Sequence, residues 1–378
     1  MRASSLHPEV AGQTLSLREM ELEARKRLDP AVYDFVAGGA EDEVTLRAND
    51  TAFARIGLVP RVLCGQRTHD LAISLLGQPA TMPVLIAPTA FHRLAHPDGE
   101  CATARAAAAA GVIMIASMAS TVAIDEVAAA AREKAAEPGP NLWFQIYIQP
   151  DLAFTEAVIR RAEAAGCNAL VVSVDSPTFG RRERDERNGF RDLPPGFSCE
   201  NMRAPSAGAE PGPPRDIVFS PELSWRHIEW LRGTTQLKIV LKGIAHPADA
   251  RLAVESGVDA LVVSNHGGRQ LDTVPPAIEL LPAIRDAVTG RIPLLIDGGI
   301  RRGTDIIKAL GLGASAVAIG RPVFWGLAAV GEKGVTQVLE ILRSELTRAL
   351  TLCGCGSLNE AGPDLLQLRP TEAPCRKS

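Results

Sequence analysis

The stretch Ser264-Asn265-His266-Gly267-Gly268-Arg269 sets a proton acceptor and a carboxylate anchor close together among glycines. An imidazole can take up a proton near neutral pH, and a guanidinium fork can hold a carboxylate through two hydrogen bonds. Taken alone, His266 is as compatible with a structural role as with a catalytic one. Asp175 and Arg182 strengthen the catalytic reading. A carboxylate at Asp175 can steady the imidazolium formed when His266 accepts a proton, although an aspartate can also cap a helix or pair with an arginine. Lys242, closing Val240-Leu241-Lys242, admits three roles. It can form a Schiff base, place fixed positive charge beside a cofactor that becomes anionic on reduction, or bury its stem as a structural amine.

Two further segments suit an anion. Asp297-Gly298-Gly299-Ile300-Arg301-Arg302-Gly303 and Ile319-Gly320-Arg321-Pro322 combine glycine turns with arginines. Glycines let backbone N–H groups approach a phosphate, and a following helix N-terminus favours negative charge. The plainer alternative is tight turns with solvated arginines.

The elements that must position these groups are visible as a repeat. Apolar runs at Val84–Ala90, Val112–Ser117, Leu142–Ile148, Ala169–Asp175, Lys238–Lys242, Ala260–Ser264, Pro293–Asp297 and Ala316–Ile319 alternate with alanine-rich segments of helical composition. The runs are continuous rather than alternating, as strands buried on both faces require. Eight strand–helix units in series predict an α/β fold, a (β/α)8 TIM barrel. A doubly wound open sheet is the competitor, but Pro88-Thr89-Ala90 stands after the first strand where a dinucleotide fold needs its glycine fingerprint. In a barrel, chemistry collects where strands end, and phosphate sites recur after strands seven and eight. The chain is expected to form a single domain over 1–378, with an N-terminal helical segment at 15–60 and the barrel at 83–349. A long proline- and glycine-rich connection after strand four, 183–220, argues against a helix and is expected to be a mobile loop or lid, a plain surface excursion being the alternative.

Composition narrows the function classes. With 378 residues, 46% hydrophobic and a net charge of −4, the chain has the balance of a globular protein and no basic field for nucleic acid. Neither a signal peptide nor a membrane span stands out, and the C-terminal Arg376-Lys377-Ser378 is not a Ser-Lys-Leu address, so a cytoplasmic location is expected. The seven cysteines are scattered apart from Cys353-Gly354-Cys355, a spacing that suits reduced thiols rather than zinc or a redox pair. No metal site is expected.

The motif from Ser264 to Asp272 resembles the active-site signature of FMN-dependent 2-hydroxy acid oxidases and dehydrogenases. Pro88-Thr89-Ala90, Phe144-Gln145-Ile146-Tyr147, Val174-Asp175, Gly180-Arg181-Arg182, Leu241-Lys242-Gly243, Asp297-Gly298-Gly299 and Gly320-Arg321 extend the likeness from about Leu15 to Leu358. The resemblance implies FMN as cofactor. Pro88, Thr89, Ala90, Ser117, Gln145, Ser173, Lys242 and Ser264 would line its ring and ribityl chain, with Lys242 stabilising the reduced form. Asp297, Gly298, Gly299, Ile300, Arg301, Gly320 and Arg321 would hold its phosphate. Tyr147, Arg182 and Arg269 would bind the substrate carboxylate, with His266 the base and Asp175 its partner. The resemblance further implies a small 2-hydroxy acid as substrate and a homotetramer.

Three positions depart from the family pattern. Phe35 stands where a tyrosine usually bonds the carboxylate, Ala119 lies where glycolate oxidases carry a tryptophan, and Ser173 replaces a threonine. Phe35 and Ala119 together predict a roomier pocket, for a longer aliphatic or an aromatic 2-hydroxy acid. Oxygen is the expected electron acceptor, as Ala90 is usual beside the flavin in oxidases. The rivals are a dehydrogenase that passes electrons to a quinone or protein and, more remotely, a Schiff-base lyase or isomerase of a phosphorylated sugar using Lys242.

Overall fold

Residues 14–65, 70–136, 139–204 and 212–368 are described by the computed structural model. The C-terminal Arg376-Lys377-Ser378 and residues 205–211 of the 183–220 connection lie outside them. The apolar runs become eight parallel strands: β1 Val84–Ile86, β2 Met114–Ser117, β3 Leu142–Ile146, β4 Ala169–Ser173, β5 Lys238–Ile244, β6 Ala260–Val263, β7 Leu294–Asp297 and β8 Ala316–Ile319. They pair in chain order, and β8 closes on β1 through Val317 against Val84 and Ile319 against Ile86. The expected (β/α)8 barrel is the fold.

Two buried clusters explain why the runs are apolar without interruption. Leu85, Ile115, Trp143, Val171, Val240, Val262, Leu295 and Ala318 fill the barrel interior. Their neighbours Ile86, Met114, Phe144, Leu170, Leu241, Leu261, Ile296 and Val317 face the helices. A hairpin of Ile73–Leu75 and Gln78–Ala80 plugs the N-terminal mouth, where Gln78 Oε1 accepts a 2.8 Å bond from the Trp143 indole and Leu75 joins the interior cluster. The opposite mouth, at the strand C-termini, is left for the site.

Helices α1 Leu17–Arg27, α2 Pro30–Ala37 and α3 Val44–Ala52 precede the barrel. Ser16 and Asp29 cap the first two by accepting from the backbone of Glu19 and Ala31. The third takes its cap from far away: Asp272, beyond β6, accepts from the N–H groups of Val44 (3.1 Å) and Thr45 (2.8 Å). The barrel helices are α4 Gly99–Ala110, α5 Ile124–Arg132, α6 Leu152–Ala165, α7 Glu183–Arg187, α8 Trp225–Thr234, α9 Pro247–Glu255, α10 Ala277–Val288, α11 Gly303–Gly311, α12 Arg321–Val330 and α13 Glu332–Cys353. Near the ends of the chain, Ile56–Leu58 pairs antiparallel with Leu366–Leu368.

Three local departures have physical causes. The 183–220 connection opens with the short helix α7 despite its proline and glycine content, because the polar run Glu183–Arg187 precedes the first glycine, Gly189. Strand β5 runs past Lys242 because Gly243, at φ +106, absorbs a register shift, and any Cβ there would sit 2.5 Å from the Asp175 side chain. Gly38-Gly39 after Ala31–Val36 is the composition of a left-handed helix C-cap, and Gly38 does end α2, but at φ −67 it is not left-handed. Its value is space, since a Cβ on Gly38 would lie 2.7 Å from Asp34 O and one on Gly39 2.8 Å from Gly268 O.

Candidate active site

His266, Gly267 and Gly268 form three successive left-handed residues after β6, with φ of +57, +64 and +74. For histidine this conformation costs roughly 1–2 kcal/mol, so something must hold it. Ser264 Oγ accepts from His266 N at 3.0 Å, Asn265 Oδ1 accepts from Gly268 N at 3.2 Å, and His266 Nδ1 lies 3.0 Å from Asp175 Oδ1. The histidine side chain is 22% exposed and the aspartate 12%, so the pair sits at the edge of the buried region. Burial works against the Asp175 charge, yet His266 and Lys242 outweigh it and hold the carboxyl below the usual range. An imidazole tied through Nδ1 to a carboxylate leaves Nε2 as its proton-accepting atom.

Arg182, Arg269 and Tyr147 share one electrostatic neighbourhood with this pair. Burial and the nearby Arg182 and Arg321 push the Arg269 guanidinium well below the usual arginine range. Its Nη1 donates to Phe35 O at 2.6 Å and Gly38 O at 3.0 Å, the carbonyl end of α2. Carbonyls at a helix C-terminus favour cations, which is how α2 keeps this half-buried arginine in place. Arg182 lies 3.3 Å from Asp185 Oδ2 through Nε, which nevertheless makes no hydrogen bond. Phe35 supplies what its missing hydroxyl does not: its ring lies under both guanidiniums, 5.2 Å from Arg182 and 5.0 Å from Arg269. Phe91 stacks on it at 5.5 Å, Phe190 packs against it at a tilt at 4.8 Å, and Phe219 meets Tyr147 edge-on at 5.1 Å. Burial drives the Tyr147 phenol up to about 12. Ala119 is buried two residues past β2, its N–H bonded to Ser117 Oγ.

A second network crosses the strand ends. Ser117 Oγ donates to Gln145 Oε1 at 2.9 Å, and Gln145 Nε2 donates to Ser173 Oγ at 3.1 Å. Lys242 Nζ donates to Ser264 Oγ at 3.1 Å and lies 3.1 Å from Asp297 Oδ2. Burial disfavours its ammonium, but Asp297 and Asp175 outweigh burial and hold it above the usual lysine range. A lysine so firmly protonated is a fixed charge rather than a Schiff-base nucleophile. Pro88, Thr89 and Ala90 follow β1, with Thr89 Oγ1 2.6 Å from His92 Nε2.

At the phosphate-type loops, Asp297 ends β7, Gly298, Gly299, buried Ile300 and Arg301 follow, and Gly320 and Arg321 open α12. Asp305 accepts from the N–H groups of Arg301 and Arg302, so the start of α11 is already capped. Arg321 donates to Val36 O and Gly38 O, both at 2.9 Å, and among the described residues no carboxylate lies within ion-pair distance of it. Burial and the neighbouring Arg301 lower it to about 10. These residues fit a phosphorylated, ring-bearing cofactor. Two arginines repel each other where a dianion would relieve them, a serine–glutamine–serine row offers hydrogen bonds, and Asp297 Oδ1 is buried without a partner. A Cβ on Gly320 would meet Thr89 Cγ2 at 3.2 Å, so glycine leaves the floor between β1 and β8 open.

Residues 24–368 match the FMN-dependent dehydrogenase family. The chain belongs to that family. FMN is its cofactor. Among curated relatives, an L-lactate oxidase from Nostoc sp. is 46% identical, covering 94% of this chain and 98% of that protein. A peroxisomal (S)-2-hydroxy-acid oxidase from Oryza sativa subsp. japonica is 44% identical, covering 92% and 94%. A solved structure of mandelate oxidase with (S)-2-phenylpropionate superposes with a TM-score of 0.85 at 43% identity, over 95% of this chain and all of that one. Membership in the FMN-dependent family sets aside the phosphorylated-sugar lyase. No helix among the described residues is long and apolar enough to cross a membrane.

Strand ends alone do not mark the parts of this candidate site that come from elsewhere. Asp185 in α7, the rings of Phe91, Phe190 and Phe219, and Gln270, whose Nε2 donates to Asp175 O and Thr178 O, all border it. Gln270 lies in the signature stretch and was within reach. The phenylalanines sit on loops with no periodicity to mark them.

Proposed function

We propose that the chain oxidises an L-2-hydroxy acid to the 2-oxo acid and passes the electrons to oxygen, giving hydrogen peroxide. The observation that carries this reading is the His266–Asp175 pair beside the buried Arg182 and the half-buried Arg269 and Tyr147. The three donors bind the substrate carboxylate. His266 Nε2 removes one proton from the bound acid, and Asp175 stabilises the resulting imidazolium. FMN, when bound, supplies the acceptor for the two electrons that leave. Lys242 places positive charge where that acceptor gains negative charge. Arg301, Arg321 and the glycine turns hold the phosphate. Two electrons and two protons leave the hydroxy acid, and oxygen takes up both to become peroxide.

The substrate is larger than glycolate, with a longer aliphatic or an aromatic side chain. Ala119 and the phenylalanine rings around Phe35 support this by giving the mouth an apolar lining. Anaerobic mixing with glycolate, 2-hydroxyoctanoate and mandelate, followed by air, tests substrate and acceptor together. The expected result is bleaching of the flavin, fastest with the larger acids, and reoxidation within seconds. A preference for glycolate overturns the substrate assignment, and reoxidation over many minutes overturns oxygen in favour of a quinone or protein.

Tyr147 gives a pH prediction with a defined sign. Because burial raises its phenol to about 12, the hydroxyl remains a donor throughout the working range. Tyr147→Phe is expected to raise KM about tenfold, the worth of one hydrogen bond to a charged group. That ratio stays constant from about pH 6 to about pH 10. Steady-state KM for both proteins across that range is the check. A ratio that collapses toward one by pH 9 contradicts a raised phenol.

A further inference from the structure

Asn49 is a polar residue that neither the motif nor the strand ends mark, yet it is 2% exposed and touches both halves of the site. It lies in α3, outside the barrel. Its Nδ2 donates to Asn265 Oδ1 at 2.9 Å, and Asn265 Nδ2 donates back to Asn49 Oδ1 at 2.8 Å. Asn265 uses its remaining capacity on Gly268 N and on Pro275 O, so it spans the left-handed turn that carries His266. Facing the other way, Asn49 abuts the turn after β7. A Cβ on Gly298 would lie 3.4 Å from Asn49 Nδ2, and one on Gly299 would collide with the Asn49 carbonyl. The next residue of α3, Asp50, lies 3.3 Å from Arg301 through Oδ1.

We propose that Asn49 is a positioning residue that couples the FMN phosphate turn to the turn carrying the catalytic base, through its reciprocal amide pair with Asn265. The inference rests on the proposed roles of His266 and of the β7 turn. An amide pair of this kind is directional at both ends, so it fixes the rotation of Asn265 and, with it, the acceptor for Gly268 N. Without that acceptor, three consecutive left-handed residues lose a restraint, and the imidazole is free to leave the geometry in which proton transfer occurs. The same loss frees the two amides against which Gly298 packs, while the backbone carbonyl of Asn49 beside Gly299 stays in place. Cofactor affinity and turnover therefore fall together, while the donors to the substrate carboxylate are untouched.

Asn49→Asp keeps the size and removes the amide donor, Asn49→Ala removes the pair, and Asn265→Ala removes it from the other side. The measurements are FMN affinity of each apoprotein by fluorescence titration, anaerobic flavin reduction at saturating substrate, and KM. Each single variant is expected to bind FMN about tenfold more weakly and to be reduced at least tenfold more slowly, with KM within about threefold of wild type. The Asn49→Ala/Asn265→Ala protein should be no worse than the worse single variant, because the two residues act as one unit. Wild-type FMN affinity with only a lowered melting temperature, a wild-type-like Asn49→Asp, or multiplicative effects in the double variant would each overturn the proposal. Wild type run alongside keeps the tests separate: if no 2-hydroxy acid reduces it, the proposed activity fails, whereas the FMN titrations still decide the coupling.

Discussion

Replacing His266 with glutamine is expected to lower the rate of flavin reduction by about a thousandfold, within the range general bases contribute. Glutamine can still bond Asp175 but cannot take up a proton, so the variant isolates proton transfer from local packing. Its FMN content and KM should stay near wild type, since Ser264 and Asn265 hold the turn through backbone N–H groups that the substitution leaves in place. The measurement is anaerobic stopped-flow at saturating 2-hydroxy acid. A loss below tenfold would sink the assignment of His266 as the base.

Arg269→Leu should damage the enzyme in the opposite parameter. A carboxylate held by two charge-assisted hydrogen bonds gains about 1.5–3 kcal/mol from each, so kcat/KM should fall by about 10³. Most of that should appear as KM, because the contact exists before and during the reaction. The structure adds a second expectation. Arg269 is depressed by burial and by two neighbouring arginines, so a bound carboxylate relieves repulsion already present in the free protein. The 2-oxo acid product should therefore raise the melting temperature of wild type and leave that of Arg269→Leu nearly unchanged. Equal stabilisation of both proteins would place the carboxylate elsewhere. Arg269→Lys is not a conservative control, since Nη1 also serves the carbonyls of Phe35 and Gly38 and lysine lacks the fork to do both.

Much of the barrel was legible because burial on two faces writes itself as unbroken apolar runs. The runs at 84–90 and 142–148 overshoot β1 and β3, as residues such as Tyr147 remain half-buried in the site after strand pairing has ended. The run ending at Lys242 stops short, since Gly243 resembles a terminator and is instead a bulge. At the site, residues in the signature motif or at strand ends were identifiable from type and position. Asn49, Asp185 and Phe219 were not. Their place beside the site arises from contacts across the fold, Asn49 reaching a partner 216 residues away, and nothing local encodes such a distance. By sequence alone Phe35 is a lost hydrogen bond. Its placement beneath two guanidiniums is a gain visible only once α2 has docked.

That docking has a consequence for how the molecule is made. Helix α3 emerges early from the ribosome, but the aspartate that caps it is synthesised 227 residues later, and β1 waits equally for β8. At about 5–20 residues per second, the first helices spend on the order of ten seconds or more without their partners. Throughout that interval Val32, Val36 and Phe53, buried in the finished protein, have nothing to cover them. The catalytic centre is thus among the last parts of the molecule to form. Substitutions in the first helices should then reduce soluble yield more than they reduce the stability of protein already folded.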